Sequence, residues 1–312
     1  MSTPIKTIVI TGGAGYIGSR LATTLINLGH RVVVIDNLSG GNKANLPKGI
    51  IFHKTDIRSE HIYAIFEKEQ PEVLFHMAAS KSVNKSMENP KEFQDINVAG
   101  SVNVFKAAAK AGIKRIVFTS TAGVYGNSNQ RTKQTESDKL HPSSVYAETK
   151  LATEQELLRY IDSGTEGIIL RFANVYGPGG TSDVQGVVEL FAKTLLRNEP
   201  ITIFGDGTQT RDFIYTDDLI SFCELLVSSD YSKLKKNPIM NVSTGKSVSV
   251  LDMLHTIAKV LRITPKISYK KDAFIGQRDS LLDPTLAQNL LGWTAKTSLS
   301  DGIQKTIDAF IV

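Results

Sequence analysis

The sequence predicts an α/β fold, a doubly wound parallel sheet followed by a smaller C-terminal α/β domain. Three observations predict it. A short β-branched run, Ile5 to Ile10, passes directly into Thr11-Gly12-Gly13-Ala14-Gly15-Tyr16-Ile17-Gly18 and then into an amphipathic helical pattern. Apolar strand-like runs and helical patterns then alternate as far as Phe172, as crossover connections in a parallel sheet require. Beyond Tyr176-Gly177-Pro178-Gly179-Gly180 the pattern becomes irregular, which sets the expected domains at 1–178 and 179–312.

Taken in order, the first helix carries Leu21, Leu25 and Leu28 on one face and stops at Gly29. Arg31-Val32-Val33-Val34-Ile35 is the second strand, ending at Asp36. Gly13, Gly15 and Gly18 match G-x-G-x-x-G, and the acid lies eighteen residues past the last glycine. Strand, glycine turn, helix, strand and acid together make a dinucleotide-binding Rossmann unit. Its glycines let the backbone approach a pyrophosphate at a helix N-terminus. Asp36 would accept from a ribose 2′-hydroxyl and repel a 2′-phosphate, which favours NAD over NADP. Further strands follow at Ile50–His53, Val73–His76, Ile116–Thr119 and Ile168–Phe172, with one long helical pattern from Phe93 to Ala111. The ends of these strands, at His76-Met77-Ala78-Ala79-Ser80-Lys81 and Ser120-Thr121-Ala122, are where ligands bind in such sheets. His76 is read as structural, because no other His or Cys has metal-ligand spacing, so no metal is expected. In the C-terminal part, helices are expected at 187–196, 216–228, 250–261 and 284–291, and a strand at Ile201–Phe204.

The bulk properties exclude several classes. The 312 residues are ample for a sizeable core, and 41% hydrophobic residues is ordinary for a soluble protein. The net charge of +5 is carried by dispersed Lys and Arg, so nucleic acid is not implied. No apolar run approaches membrane length and no signal h-region opens the chain. With one cysteine, Cys223, no internal disulfide can form, so a cytoplasmic protein is expected.

Tyr146 and Lys150 lie four residues apart, one helical turn, within Ser143-Ser144-Val145-Tyr146-Ala147-Glu148-Thr149-Lys150. A tyrosine base at pH 7 needs help of about 4 kcal/mol. An ammonium ~4 Å away supplies about that at an effective dielectric of ~20. The plainer reading is an amphipathic helix with an exposed lysine and a half-buried tyrosine.

Seven stretches extend the pattern: Thr11–Gly18, His76–Lys81, Ser120–Gly126, Tyr146–Lys150, Arg171–Pro178, Gly205–Asp212 and Leu290–Trp293. With them the chain resembles, over nearly its whole length, the nucleotide-sugar epimerases of the extended short-chain dehydrogenase/reductase family, and among those the UDP-glucose 4-epimerases. The resemblance implies tightly bound NAD, a UDP-sugar substrate lying across the two domains, and a homodimer formed through the helices at about 93–111 and 146–160. It implies epimerisation at C4 through a 4-keto sugar, with Tyr146 as base, Lys150 as its charged neighbour and Thr121 as the hydroxyl beside it. Cofactor positions matched are Gly12, Gly15, Tyr16, Ile17, Gly18, Asp36, Asn37, Asp56, Ile57, Ala78, Ala79, Lys81 and Asn97, besides Tyr146 and Lys150. Substrate positions matched are Asn174, Val187, Thr202, Phe204, Arg211, Arg278 and Ser280, together with Lys81, Thr121 and Tyr146. A guanidinium at Arg211 suits a diphosphate. Phe204 is either a ring for stacking on a base or a core aromatic.

Two departures from the family pattern matter. Related 4,6-dehydratases carry an Asp-Glu pair, and related decarboxylases a Glu, where Thr121-Ala122 stand, so elimination and decarboxylation are disfavoured. An arginine that many relatives direct at the diphosphate is replaced by Ala273, and Arg278 is the candidate substitute. Ser280 stands where relatives restricted to plain hexoses often carry a tyrosine. A small residue there leaves room for an acetamido group, and the plainer reading is a surface serine. The alternatives are an epimerase of a UDP-uronate or UDP-N-acetylhexosamine, a reductase that releases its cofactor, and a catalytically silent NAD-binding relative.

Overall fold

A computed structural model describes residues 4–127, 132–162, 164–179, 186–270 and 277–311. The first stretch of elements runs β1 (Thr7–Thr11), α1 (Tyr16–Asn27), β2 (Arg31–Asp36), β3 (Ile51–Lys54), α2 (His61–Glu69) and β4 (Val73–His76). It continues through α3 (Val83–Glu88), α4 (Pro90–Phe93), α5 (Gly100–Lys110), β5 (Arg115–Thr121), α6 (Val145–Asp162) and β6 (Glu166–Phe172). Later come β7 (Asn174–Tyr176), α7 (Val187–Leu196), β8 (Ile201–Phe204), β9 (Thr210–Tyr215), α8 (Thr216–Ser228) and β10 (Ile239–Val242). The chain ends with β11 (Ser247–Ser249), α9 (Val250–Leu261), β12 (Ile267–Lys270), α10 (Thr285–Leu291) and α11 (Leu299–Ile311).

Seven strands form one sheet in the order β3-β2-β1-β4-β5-β6-β10. β1 pairs in parallel with β2 on one side and β4 on the other, so the winding direction reverses between β1 and β4. Ligands of doubly wound sheets bind outside the strand C-termini at that reversal. Thr11 ends β1 there, opposite His76 of β4. The strands read as continuous apolar runs because both faces are covered. Val9, Val33, Ile35, Leu74, Ile116 and Phe118 pack with Phe66, Phe105 and Leu157 of the helices. Each fully buried side chain of this kind contributes about 1.5–3 kcal/mol.

The chain forms two compact units, and both are discontinuous. The first comprises Met1–Val124, Ser144–Arg171 and Ile220–Met240, and the second Tyr125–Ser143, Phe172–Leu219 and Asn241–Val312. This differs from the expected single division after residue 178. The reason is that β10, far along the chain, returns to pair at the sheet edge beside β6. The second unit has its own core, including Tyr176, Phe191, Leu195, Ile203, Phe213, Tyr215 and Ile257, and two small sheets, β11-β9-β7 and β12-β8.

The single helix expected from Phe93 to Ala111 is broken. α4 ends at Phe93, a wide π-helical turn spans Gln94–Ala99, and α5 starts at Gly100. Such turns occur often at functional sites. Asn97, 1% exposed, sits in this one. Its Oδ1 accepts from the Ser80 backbone N–H at 2.7 Å, and its Nδ2 donates to Ser80 O at 3.0 Å and to Thr149 Oγ1 at 2.9 Å. Its backbone carbonyl accepts from the hydroxyls of Ser101 and Thr153. The loop after β4 is thereby tied to α6.

Asn97→Ala strands both Ser80 backbone groups. We expect a loss of about 2–4 kcal/mol, seen as a lower urea midpoint with an unchanged slope. A midpoint equal to that of the wild type would mean that the amide does not hold the loop.

Candidate active site

Gly12 follows β1 in the left-handed region, φ 70°. A Cβ on Gly12 would stand 2.7 Å from Ala78 Cα, and one on Gly18 would stand 2.5 Å from Gly12 O. These glycines let the loop after β1, α1 and the loop after β4 close on one another. Gly15 is different: a Cβ there would approach only Gly12 O, at 3.2 Å, so its outer face is open. It immediately precedes α1, whose N-terminus has no side-chain cap and no acidic residue. Open backbone beside uncapped N–H groups fits a pyrophosphate. Tyr16 and Ile17 form the first turn of that helix and are half-buried.

Asp36 ends β2, buried, with its carboxylate fixed by Ala14 N–H at 3.0 Å and Leu38 N–H at 2.7 Å. Asn37 donates to Asp56 Oδ2 at 2.9 Å. Arg58 grips the same carboxylate and, with its side-chain hydrogen bond as the largest cause, holds Asp56 well below the usual carboxylate range. Ile57 is in the core, and its carbonyl accepts from Asn103 Nδ2 at 2.8 Å. Ala78 and Ala79 are half-buried after β4 and Lys81 is exposed. The Asn97 amide is committed to Ser80 and Thr149, which makes it a positioning group for this loop.

The Ser144 hydroxyl accepts from Ala147 N–H at 3.2 Å and caps α6, which places Tyr146 in the first turn. The Tyr146 backbone N–H donates to Ser86 Oγ at 3.1 Å. Lys150 is 3% exposed, which rules out the reading of an exposed lysine on an amphipathic helix. Its Nζ donates to Thr119 O at 2.7 Å and stands 4.7 Å from the Phe118 ring centre. Thr121 closes β5, and its hydroxyl accepts from Gly123 N–H at 3.1 Å, leaving its own proton to donate.

Burial acts on the pair in opposite directions. It pushes the Tyr146 phenol up to about 12 and the Lys150 ammonium down to about 7, the latter opposed by Glu154. Both shifts run against a charged pair, since desolvation favours the neutral form of each group. His76, held to about 3 chiefly by burial, is neutral and structural, bonded to Thr11 Oγ1 and Ser101 Oγ, both at 2.7 Å.

The second unit carries the remaining residues. Asn174 opens β7 and is exposed, and Val187 opens α7 behind Gly186. On β8, Ile201 and Ile203 point inward while Thr202 and Phe204 point out. Phe204 is 53% exposed, so it is not a core aromatic. Arg211 Nη1 donates to the carbonyls of Thr210 at 2.8 Å and Arg278 at 3.0 Å. Burial lowers its pKa and Asp279 opposes this. The Arg278 guanidinium is tied to the turn before β9, donating to Thr208 Oγ1 at 2.8 Å and pairing with Asp206 at 3.4 Å. Ala273 lies outside the described residues. Ser280 is 1% exposed, which excludes the surface reading. Its backbone pairs with Thr210 and Asp212 of β9, while its buried hydroxyl has no hydrogen-bond partner among the described residues.

Sequence reasoning passed over Ser86, Ser144, Thr149 and Glu154. Only Glu154 left a signal, as an acid one turn past Lys150 on the buried face of α6. Among the described residues, no group of three or more His, Cys, Asp or Glu could hold a metal ion, and no helix is long and apolar enough to cross a membrane.

Residues 8–243 match the NAD dependent epimerase/dehydratase family. A putative UDP-glucose 4-epimerase of Methanocaldococcus jannaschii is 35% identical over 307 residues, 96% of this chain and 97% of the relative. The crystal structure of UDP-glucose 4-epimerase from Thermotoga maritima with UDP-glucose superposes with a TM-score of 0.92 at 34% identity, covering 98% of both chains. That of the Thermus thermophilus UDP-glucose 4-epimerase complex with NAD gives 0.89 at 31% identity, over 98% of this chain and 99% of that one. Other matches are a UDP-glucuronate 4-epimerase, a UDP-N-acetylglucosamine 4-epimerase and a UDP-glucuronic acid decarboxylase. With its glycine loop, fixed Asp36 and Tyr146–Lys150 helix, the chain belongs to the NAD-dependent epimerase/dehydratase family of nucleotide-sugar enzymes.

Proposed function

We propose that the protein is an NAD-dependent UDP-sugar 4-epimerase that interconverts UDP-glucose and UDP-galactose through a 4-keto sugar. The observation that carries this reading is the buried Lys150, held on Thr119 O one turn from Tyr146, beside a Thr121 whose hydroxyl proton remains available. Bound NAD supplies the acceptor and donor of hydride. The protein's part is proton handling and placement. Tyr146 Oη takes the proton of the sugar 4-hydroxyl and returns it. Thr121 Oγ1 donates to the reacting oxygen and orients it. Arg211 and Phe204 are assigned to the diphosphate and the base, with Asn174, Val187 and Thr202 in the same role. Lys81 is assigned to both cofactor and sugar. The absence of a carboxyl at Thr121-Ala122 supports epimerisation over elimination or decarboxylation.

A second reading rests on Ser280. A small, buried side chain with an unpartnered hydroxyl suits a sugar with an additional polar substituent, so UDP-N-acetylglucosamine is expected as a second substrate. A homodimer through α5 and α6 and a cytoplasmic setting complete the proposal. Among the described residues, none of the large apolar side chains most exposed to solvent lies on α5 or α6, so such an interface would rest on half-buried Val102, Leu151 and Leu158.

Incubation with a panel of nucleotide sugars, resolving the products, should show interconversion of C4 epimers; a panel with no epimer formed refutes the proposal. Tyr146→Phe should keep NAD and lose at least about 10²-fold in turnover, and near-wild-type turnover would remove Tyr146 as base. Ser280→Tyr should lower kcat/KM for UDP-N-acetylglucosamine roughly 10- to 100-fold relative to UDP-glucose, the cost of overpacking. An unchanged ratio would take Ser280 out of the sugar pocket. Sedimentation equilibrium should give twice the chain mass; a monomer at all concentrations contradicts the dimer.

A further inference from the structure

Glu154 lies one helical turn past Lys150 and two past Tyr146, so all three share one face of α6. Glu154 is 1% exposed and Arg171 2%. Charged groups this deep persist when paired. Arg171, from β6, donates from Nη2 to Glu154 Oε2 at 2.7 Å and from Nε to Oε1 at 3.2 Å. Ser120, from β5, donates a hydrogen bond to Oε1. Lys150 meets the Phe118 ring and Thr119 O from β5, its charge acts on His76 from β4, and Glu154 acts on it from the next turn of its own helix, with Tyr146 one turn before it. His76 is neutral, and Asp95 of the neighbouring π turn is paired with Arg58 in exposed surroundings. Among the described residues, Glu154 is thus the anion that acts on the buried ammonium. Thr119, Ser120 and Thr121 are consecutive, so Lys150 and Glu154 both fasten the strand end that carries Thr121.

We propose that Glu154, held by Arg171 and Ser120, is a positioning residue that keeps Lys150 a cation beside Tyr146 and pins the end of β5 that presents Thr121. The proposal rests on the reading of Tyr146 and Lys150 as the proton-handling pair. An anion favours the protonated form of its neighbour, so its removal moves the titration of Lys150 to lower pH.

Three variants of the NAD-loaded protein test this. Glu154→Gln removes the charge and keeps shape and an acceptor. Glu154→Gln/Arg171→Gln also removes the cation stranded by the first change, and keeps the test open if the single variant does not fold. Ser120→Ala cuts the strand tie and leaves the charge. The readouts are the Lys150 titration, followed by NMR of ¹³Cε-labelled lysine and assigned by its loss in Lys150→Met, and the pH profile of kcat/KM. Both Glu154 variants should lower the Lys150 titration by about one pH unit, with the limbs of the profile moving the same way. Turnover at pH 7 should fall about tenfold. Ser120→Ala should lower kcat without moving the titration. An unmoved Lys150 titration in either folded Glu154 variant overturns the proposal, as does a wild-type Lys150 already neutral at pH 6. A shifted titration in a protein that epimerises no nucleotide sugar would defeat the functional reading and leave the role of Glu154 standing.

Discussion

A line of buried hydrogen bonds starts at the end of β1 and reaches α6, and the placement of the glycine loop and of the Tyr146–Lys150 turn depends on it. Thr11 Oγ1 bonds His76 Nδ1, His76 Nε2 bonds Ser101 Oγ, Ser101 donates to Asn97 O, and Asn97 reaches Thr149 and Thr153 of α6. Thr11 immediately precedes the glycine loop, and Thr149 precedes Lys150. In a low-dielectric interior each of these bonds is strong, and each unmade partner costly. Asn97 lies within the π turn at Gln94–Ala99, and its carbonyl accepts from the hydroxyls of Ser101 and Thr153. The glycine loop and the first turns of α6 are thereby tied to each other through buried side chains.

The same burial acts on the charge states of Tyr146 and Lys150. Burial pushes the phenol up to about 12 and brings the ammonium down to about 7, so desolvation biases each group toward its neutral form. On the proposed reading, Tyr146 would lose its proton more readily with positive charge beside the ring, a charge that an oxidised nicotinamide would carry. Glu154 works on the other member of the pair, offsetting part of the desolvation of Lys150.

The second unit meets a different constraint, keeping its buried guanidinium held by partners. Arg211 spends one nitrogen on two backbone carbonyls, which fixes the guanidinium, while Asp279 opposes the effect of its burial. Phe204 and Thr202 share the outer face of β8, the alternation of a two-layer strand leaving an aromatic ring in the open. Ser280 is held by strand-like pairing to β9, so its side chain cannot turn to the surface.

Local pattern by itself determined the dinucleotide-binding half. The glycine spacing, the acid at Asp36 and the Tyr146–Lys150 interval each depend on residues close in the chain, and backbone sterics and helical periodicity give them one reading. The same holds for the strands from Ile8 to Phe172, whose apolar runs leave no alternative to a sheet covered on both faces. Tertiary structure decided the rest. The long helical pattern from Phe93 hid the π turn, because a π turn differs from an α turn in backbone pairing and not in residue type. The return of β10 to the sheet edge, and with it the discontinuity of both units, depends on a pairing between residues about seventy apart. The exposure of Phe204, the burial of Ser280 and the charge balance of Tyr146 with Lys150 were likewise beyond sequence, since burial and desolvation are properties of what surrounds a side chain.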